Sequence, residues 1–278
     1  MTAPTPNLRQ TTGTNPLTYY AAAYLIFLYL PVLFLPVFSF NNATIAAFPL
    51  QGFTVKWYGE LLNNPTLHSA ILNSLIVAII ASLVATLFGI LAARAITTYR
   101  FPGKSAVTGL IMSPLVLPEL FIGISLLVVL LSLGVSLSLL TVILGHILVC
   151  TPYSIAVLTS SFEGFDRSLE EASLDLGETA LSTFFRVTMP IVMPGIVSSL
   201  LVTFTISLDE FILAFFLSGT DQTLPVYIWS LLRFPAKLPS VLALGTVLLI
   251  VSFVLVWISE YFRRRNQLRL GAGERAAA

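Results

Sequence analysis

Long apolar runs alternate with short charged stretches along the whole chain. Charges are absent between Arg9 and Lys56, and Tyr19 to Phe40 is the apolar part of that interval. A second run lies between Glu60 and Arg94, with its apolar centre from His68 to Ala93. Between Lys104 and Glu163 the only full charge is Glu119. As one helix that stretch would be about 87 Å long, against a bilayer core of about 30 Å. It therefore folds back, and Gly134 with Ser132, Ser136 and Ser138 marks the turn. The pattern predicts helices over residues 106–132 and 138–160, a fifth from Ile191 to Leu217, and a sixth between Lys237 and Glu260. An all-α integral membrane protein of about six transmembrane helices is the expected fold class.

Basic residues set the expected orientation. With the N-terminus inside, Arg9, Arg94, Arg100, Lys104, Arg167, Arg186, Arg263, Arg264, Arg265, Arg269 and Arg275 fall on the cytoplasmic side. Lys56, Arg233 and Lys237 fall outside. The excess follows the positive-inside rule, so both termini and the loop 161–190 are expected in the cytoplasm. The divisions are a cytoplasmic tail 1–18, a transmembrane domain 19–262 containing loop 161–190, and a cytoplasmic tail 263–278.

Composition narrows the function. The chain is 56% hydrophobic and 10% charged, too few charges to solvate a water-facing surface, so lipid is the main surrounding. A net charge of +1 argues against a nucleic-acid partner. One cysteine, Cys150, and two histidines, His68 and His146, supply no expected metal site. His146 reads as a packing residue and the Arg263–Arg265 cluster as a positive-inside anchor. The sequon Asn42-Ala43-Thr44 reads as incidental.

The loop 161–190 carries six acids: Glu163, Asp166, Glu170, Glu171, Asp175 and Glu178. Ser168 and Glu171 have the spacing of a capping box and predict a helix starting near Leu169. Gly177 predicts its end or a sharp bend. A second short helix is expected beyond it, with Leu181, Phe184 and Phe185 on one face, before Pro190 and Pro194 reset the backbone. Two short amphipathic helices under the bilayer could dock on a soluble partner or form an interfacial loop with none.

The spelling of this loop decides between those readings. Glu171-Ala172-Ser173, three residues, Gly177, nine residues, then Val187-x-Met189-Pro190 resembles the signature of the permeases of binding-protein-dependent ABC importers. The one departure is Ser173 where the family has a second alanine. Arg100-Phe-Pro-Gly-Lys104, Ser113-Pro-Leu-Val-Leu-Pro-Glu119, Ser207-Leu-Asp-Glu-Phe211 and Leu224-Pro-Val-Tyr-Ile228 resemble the second permease subunit of the spermidine/putrescine-type branch. The resemblance covers roughly residues 55–262 and implies a type I importer permease fold in a bacterial inner membrane. It implies an ATPase-coupling role for Glu171, Ala172, Ser173, Gly177 and Pro190. It also implies a second homologous permease, two ATPase subunits holding ATP and Mg, and an extracytoplasmic solute-binding protein. The expected solute is a small cationic nitrogenous one such as a polyamine, or an opine. No catalytic residue and no bound cofactor are expected in this chain.

Gly103-Lys104-Ser105 is like the tail of a P-loop, but Thr98 stands where its first glycine belongs. Glu119, Asp209 and Glu210 are the acids within the expected spans; carboxylates there either face a bundle interior or watery translocation pathway, or pair with neighbouring chains and cap helix ends near the headgroups. On straight helices Glu119 lies about 20 Å past Ala106 and Asp209 about 27 Å past Ile191, placing both in the outer half of the membrane. Pro118 is expected to free a carbonyl toward a cavity. An ion-coupled carrier, marked by paired broken helices, and a membrane assembly protein are the competing classes.

Overall fold

The computed structural model describes residues 16–44, 48–254 and 257. Its helices are α1 (Pro16–Ser39), α2 (Lys56–Leu62), α3 (Pro65–Thr98), α4 (Lys104–Met112), α5 (Glu119–Ser132), α6 (Leu139–Glu163), α7 (Ser168–Asp175), α8 (Ala180–Thr183), α9 (Met189–Asp209), α10 (Ile212–Leu217) and α11 (Leu224–Leu232). A last helix, α12, runs through Pro235–Val254. Arg9 and the C-terminal arginines 263, 264, 265, 269 and 275, with the tail 263–278, lie outside the described residues.

Among the described residues five stretches are long and apolar enough to span a bilayer: Leu17–Ser39, Pro65–Thr98, Leu139–Glu163, Ala180–Asp209 and Pro235–Val254. The expected third span is instead a bent pair, Lys104–Leu115 and Glu119–Ser132, turned by 100°. This corrects the straight helix expected over 106–132. Pro114 sits in a short 3-10 turn, Ser113–Leu115, and Pro118 is the residue before α5 with an extended ψ of 129°. Two prolines four residues apart remove the donors a continuous helix would need there. Pro118 therefore starts a helix instead of interrupting one, and its carbonyl accepts from Phe121 and Ile122. The straight-helix depth assigned to Glu119 falls with that correction.

The fold-back at Gly134 is as expected. Gly134 has φ +71°, its N–H reaches Leu131 O, and Val135 N–H reaches Leu130 O, which together close α5. Ser138 and Thr141 then start α6 with reciprocal capping bonds.

The described residues form two compact units, one of residues 64–230 and one of the described residues before 64 and after 230. In the first, α3, α6 and α9 pack on one another, and α5 and α10 pack together. The buried face of α3 is made mostly of small residues, among them Ala70, Ser74, Ala78, Ala81, Ala85, Gly89 and Ala93, with Leu67, Val77 and Ile90 beside them. Many of its large residues, including Leu72, Ile79, Leu83, Leu87 and Leu91, are exposed. Lipid tails solvate leucine as well as a protein core does, so close backbone approach decides the buried face. A Cβ on Gly89 would lie 1.9 Å from Ser154 Oγ, and one on Gly195 would lie 2.0 Å from Ser161 Oγ. Ser199 Oγ joins all three helices, lying 2.8 Å from Ser154 Oγ and 3.3 Å from Thr86 Oγ1. His146 is buried, 2.8 Å from Ser207 Oγ through Nδ1, and Cys150 Sγ donates to Thr203 O. Both side chains pack α6 against α9.

The second unit contains α1, α2 and α12. Its loop 40–55 is organised by Asn41, whose Oδ1 accepts from Gln51 N–H at 2.9 Å and whose carbonyl accepts from Trp57 Nε1. Phe40 stacks on Phe53 at 4.9 Å, and Ser240 Oγ donates to Glu60.

Candidate functional site

The loop 161–190 divides into a short helix, a glycine bend and the beginning of the fifth span. The α7 helix starts at Ser168, one residue before the expected position. The capping box does not form. Asp166 Oδ1 instead accepts Ser168 N–H at 3.0 Å, and Glu171 N–H bonds to Arg167 O. Asp166 stands two residues upstream, where an Asx turn satisfies the first donor before Ser168 can. Its carboxyl is held below the usual range by these Ser168 bonds.

At the other end the bend is as expected. Gly177 has φ +90°, its N–H reaches Leu174 O, and Glu178 N–H reaches Ser173 O. Those two bonds are a Schellman closure, which requires the left-handed conformation at this position.

The second expected short helix is not separate. The chain is helical from Ala180 through Asp209. Phe184–Thr188 form a π-helical segment just before Pro190, and Pro194 lies inside α9. Pro190 lacks an N–H, and the wider π turn absorbs the missing bond without ending the helix. The wider turn also changes which residues share a face. Leu181 and Phe185 are exposed, whereas Phe184 turns inward under the Arg94 guanidinium, 4.6 Å from its ring centre.

Two neighbouring glutamates on α7 point to different surroundings. Glu171 is exposed, as are Ala172, Leu174, Leu176, Gly177 and Pro190. Glu170 is turned in and shares its Oε1 between Arg94 Nη1, at 2.9 Å, and the Thr188 hydroxyl. Burial raises the Glu170 carboxyl, but Thr188 and Arg94 together outweigh it and leave it below the usual range. Ser173 Oγ lies 2.9 Å from Thr183 Oγ1, and Arg167 donates to Thr97 O. Arg167, Glu170 and Ser173 thus form one anchored face, at the three-residue spacing of a helix. Sequence reasoning missed Glu170, Arg94 and Thr188. That spacing, with Arg94 as the lone charge closing the second apolar run, was the available signal.

The intramembrane acids also separate. Residues 189–209 are continuous helix, and the backbone breaks at Glu210, whose ψ is 118°. Asp209 is exposed. Glu210 is 8% exposed and accepts Leu213 N–H at 2.7 Å, starting α10. The expected uninterrupted fifth helix to Leu217 is thereby corrected. Glu119, in the first turn of α5, lies near enough to Glu210 for their carboxylates to interact electrostatically. Leu120 and Phe211, the next residues in sequence, line a hollow of about 170 Å³ together with Ile212, Phe215, Phe216 and Trp229. Phe211 and Trp229 meet at 5.5 Å. Gly103 has φ +77° and precedes α4, so Gly103-Lys104-Ser105 opens a membrane helix.

A short loop helix with a glycine bend ahead of a span, small-residue packing and acids at helix breaks fit a membrane transport subunit. Residues 85–267 match the family model described as "Binding-protein-dependent transport system inner membrane component", and the chain belongs to this family. It is 35% identical over 241 residues to the spermidine/putrescine transport system permease protein PotC of Haemophilus influenzae, covering 86% of this chain and 93% of that one. It is 36% identical over 249 residues to the putrescine transport system permease protein PotI of Escherichia coli, covering 87% and 88%. The structure is similar to a bacterial ABC transporter that imports the acidic polysaccharide alginate, with TM-score 0.70 and 16% identity, covering 89% and 95% of the two chains. The MetNI methionine ABC transporter is a further neighbour, with TM-score 0.56 and 14% identity over 74% and 95%. The fold is that of ABC-importer permeases, and the chain is a multi-pass membrane transport subunit, not an enzyme. The breaks at Pro118 and Glu210 therefore belong to an importer permease and not to an ion-coupled carrier.

Proposed function

We propose that this chain forms half of the translocation pathway of an ATP-driven importer for a small cationic solute, a polyamine being the solute best supported. The observation that carries the reading is 35–36% identity to spermidine/putrescine and putrescine permeases over 86–87% of the chain. The local chemistry agrees. Glu119 and Glu210 directly precede Leu120 and Phe211, which line an aromatic hollow, and ammonium groups are attracted both to carboxylates and to aromatic faces. In this reading a second, homologous permease completes the pathway, and a solute-binding protein delivers the solute from outside. Two ATPase subunits bind ATP and Mg and dock against the exposed face of α7 around Glu171 and Ala172, while Ser173 supports that face from within through Thr183. Gly177 sets the exit angle, and Pro190 sets the register of the following span. Both termini lie in the cytoplasm.

Reconstitution tests this directly. The chain is placed in liposomes with the second permease, ATPase and binding protein from the same source. ATP-dependent uptake of radiolabelled putrescine or spermidine is expected, with none from the chain alone. ATP-driven uptake of another solute in place of both would remove the polyamine assignment. Gradient-driven uptake by the chain alone would overturn the importer reading.

A further inference from the structure

We propose that Glu170 is a positioning residue that fastens α7 to α3 and to the start of the fifth span, so that movement of α7 is passed to both. The inference rests on the importer reading above and adds a residue outside the signature spelling. One carboxylate oxygen serves two elements at once. Arg94 comes from the last turns of α3, and Thr188 is the fully buried final residue of the π segment leading into α9. Arg94 and Glu170 are only 22% and 17% exposed, so water competes weakly for either.

The surrounding contacts restrict the pair to one geometry. Arg94 is held over the Phe184 ring, so its fork cannot swing to follow a displaced carboxylate. Arg167, just ahead of α7, donates to Thr97 O near the C-terminus of α3, where carbonyls lack helical partners. Ser173, one turn beyond Glu170, contacts Thr183 in α8. All these partners face one side of α7. The opposite side, with Ser168, Ala172 and Asp175, is left exposed for a partner, and Glu171 flanks it. A force applied to that exposed side reaches α3 through Arg94 and the fifth span through Thr188. Glu171 meets the partner, and its neighbour Glu170 conveys the displacement inward. Without the tie, α7 could move on the Gly177 bend while both spans stayed in place.

The test uses the complete complex in nanodiscs and proteoliposomes. Spin labels on Leu174→Cys in α7 and Leu91→Cys in α3, in a Cys150→Ala background, report whether the two move as one body. The distance is expected to stay the same between nucleotide-free and ATP-bound wild type, and to shift or broaden between those states in Glu170→Ala. Uptake of radiolabelled putrescine per ATP hydrolysed is expected to fall about tenfold in Glu170→Ala while ATP hydrolysis persists. Glu170→Gln, which keeps an acceptor oxygen, is expected to recover part of the loss. Arg94→Lys, which keeps the charge but loses the fork and the ring stacking, is expected to lose coupling without losing assembly. The ratio is independent of complex yield, so a merely structural role leaves it unchanged while both activities fall with the amount of intact complex. That result would overturn the proposal, as would an α7–α3 distance that changes on ATP binding in wild type. Wild type without any ATP-driven uptake, at intact assembly, would instead sink the importer reading and this inference together.

Discussion

At the residue scale, two sites show how neighbours in sequence divide their work. Asp209 and Glu210 read as one acidic pair, yet Asp209 is exposed while Glu210 is buried and accepts Leu213 N–H. Glu210 therefore behaves as an N-terminal cap, whose loss costs about 0.5–2 kcal/mol. Glu210→Ala is expected to destabilise the purified chain by that amount, seen as a lower melting temperature, whereas Asp209→Asn should leave it unchanged. If Asp209 serves the solute, Asp209→Asn reduces uptake per assembled complex, and unchanged uptake would exclude it from the pathway. Gly177 is the second site. Its φ of +90° disfavours any side chain, although a Cβ there would meet nothing within 4 Å. The penalty of Gly177→Val is thus backbone strain alone, roughly 1–2 kcal/mol. Thermal unfolding is expected to show that loss, and proteoliposomes to show ATP hydrolysis with little uptake. Normal uptake by the variant would mean that the Schellman bend is dispensable for coupling.

At the element scale, α3, α6 and α9 are held by proximity more than by apolar contrast. Both faces of α3 carry hydrophobic residues, and the buried one is enriched in small side chains. Gly89 is the closest approach, with the Ser154 Cβ 2.8 Å from where its own Cβ would stand. Ser154 is fixed by its bond to Ser199, so it cannot simply rotate away. Gly89→Ala is expected to force α3 and α6 apart and cost about 1–3 kcal/mol. Adding Ser154→Gly should restore part of the loss, less the serine–serine hydrogen bond, which is worth about 0.6 kcal/mol in a membrane. Thermal unfolding in detergent checks both, and an unaltered melting temperature in Gly89→Ala would show that these helices are loosely packed.

For the whole molecule, the decisive matter is which side of the membrane carries loop 161–190. Single cysteines at Asn63, at the end of α2, and at Leu174, in α7, test it in a Cys150→Ala background, since both positions are exposed. A membrane-impermeant maleimide is expected to label Asn63→Cys in intact spheroplasts and Leu174→Cys only after permeabilisation. The opposite pattern would put α7 outside and remove the coupling role.

Much of this architecture was legible in sequence because hydropathy and chain punctuation are local properties. Each apolar run had to cross the bilayer, Gly134 and Gly177 had to close helices, and the spacing from Glu171 to Pro190 pointed to the permease family before any coordinate did. Facing is not local. Successive helical residues differ by about 100°, so Glu170 and Glu171 look alike in sequence yet one is held between Arg94 and Thr188 and the other meets solvent. The same holds for Asp209 and Glu210. Only the tertiary structure could join the second loop helix to the fifth span, because a π turn that accommodates Pro190 leaves no signature in hydropathy. It alone could bring Glu119 close to Glu210, because the 100° turn at Ser113–Pro118 redirects α5 in a way that no count of residues along a straight helix can foresee.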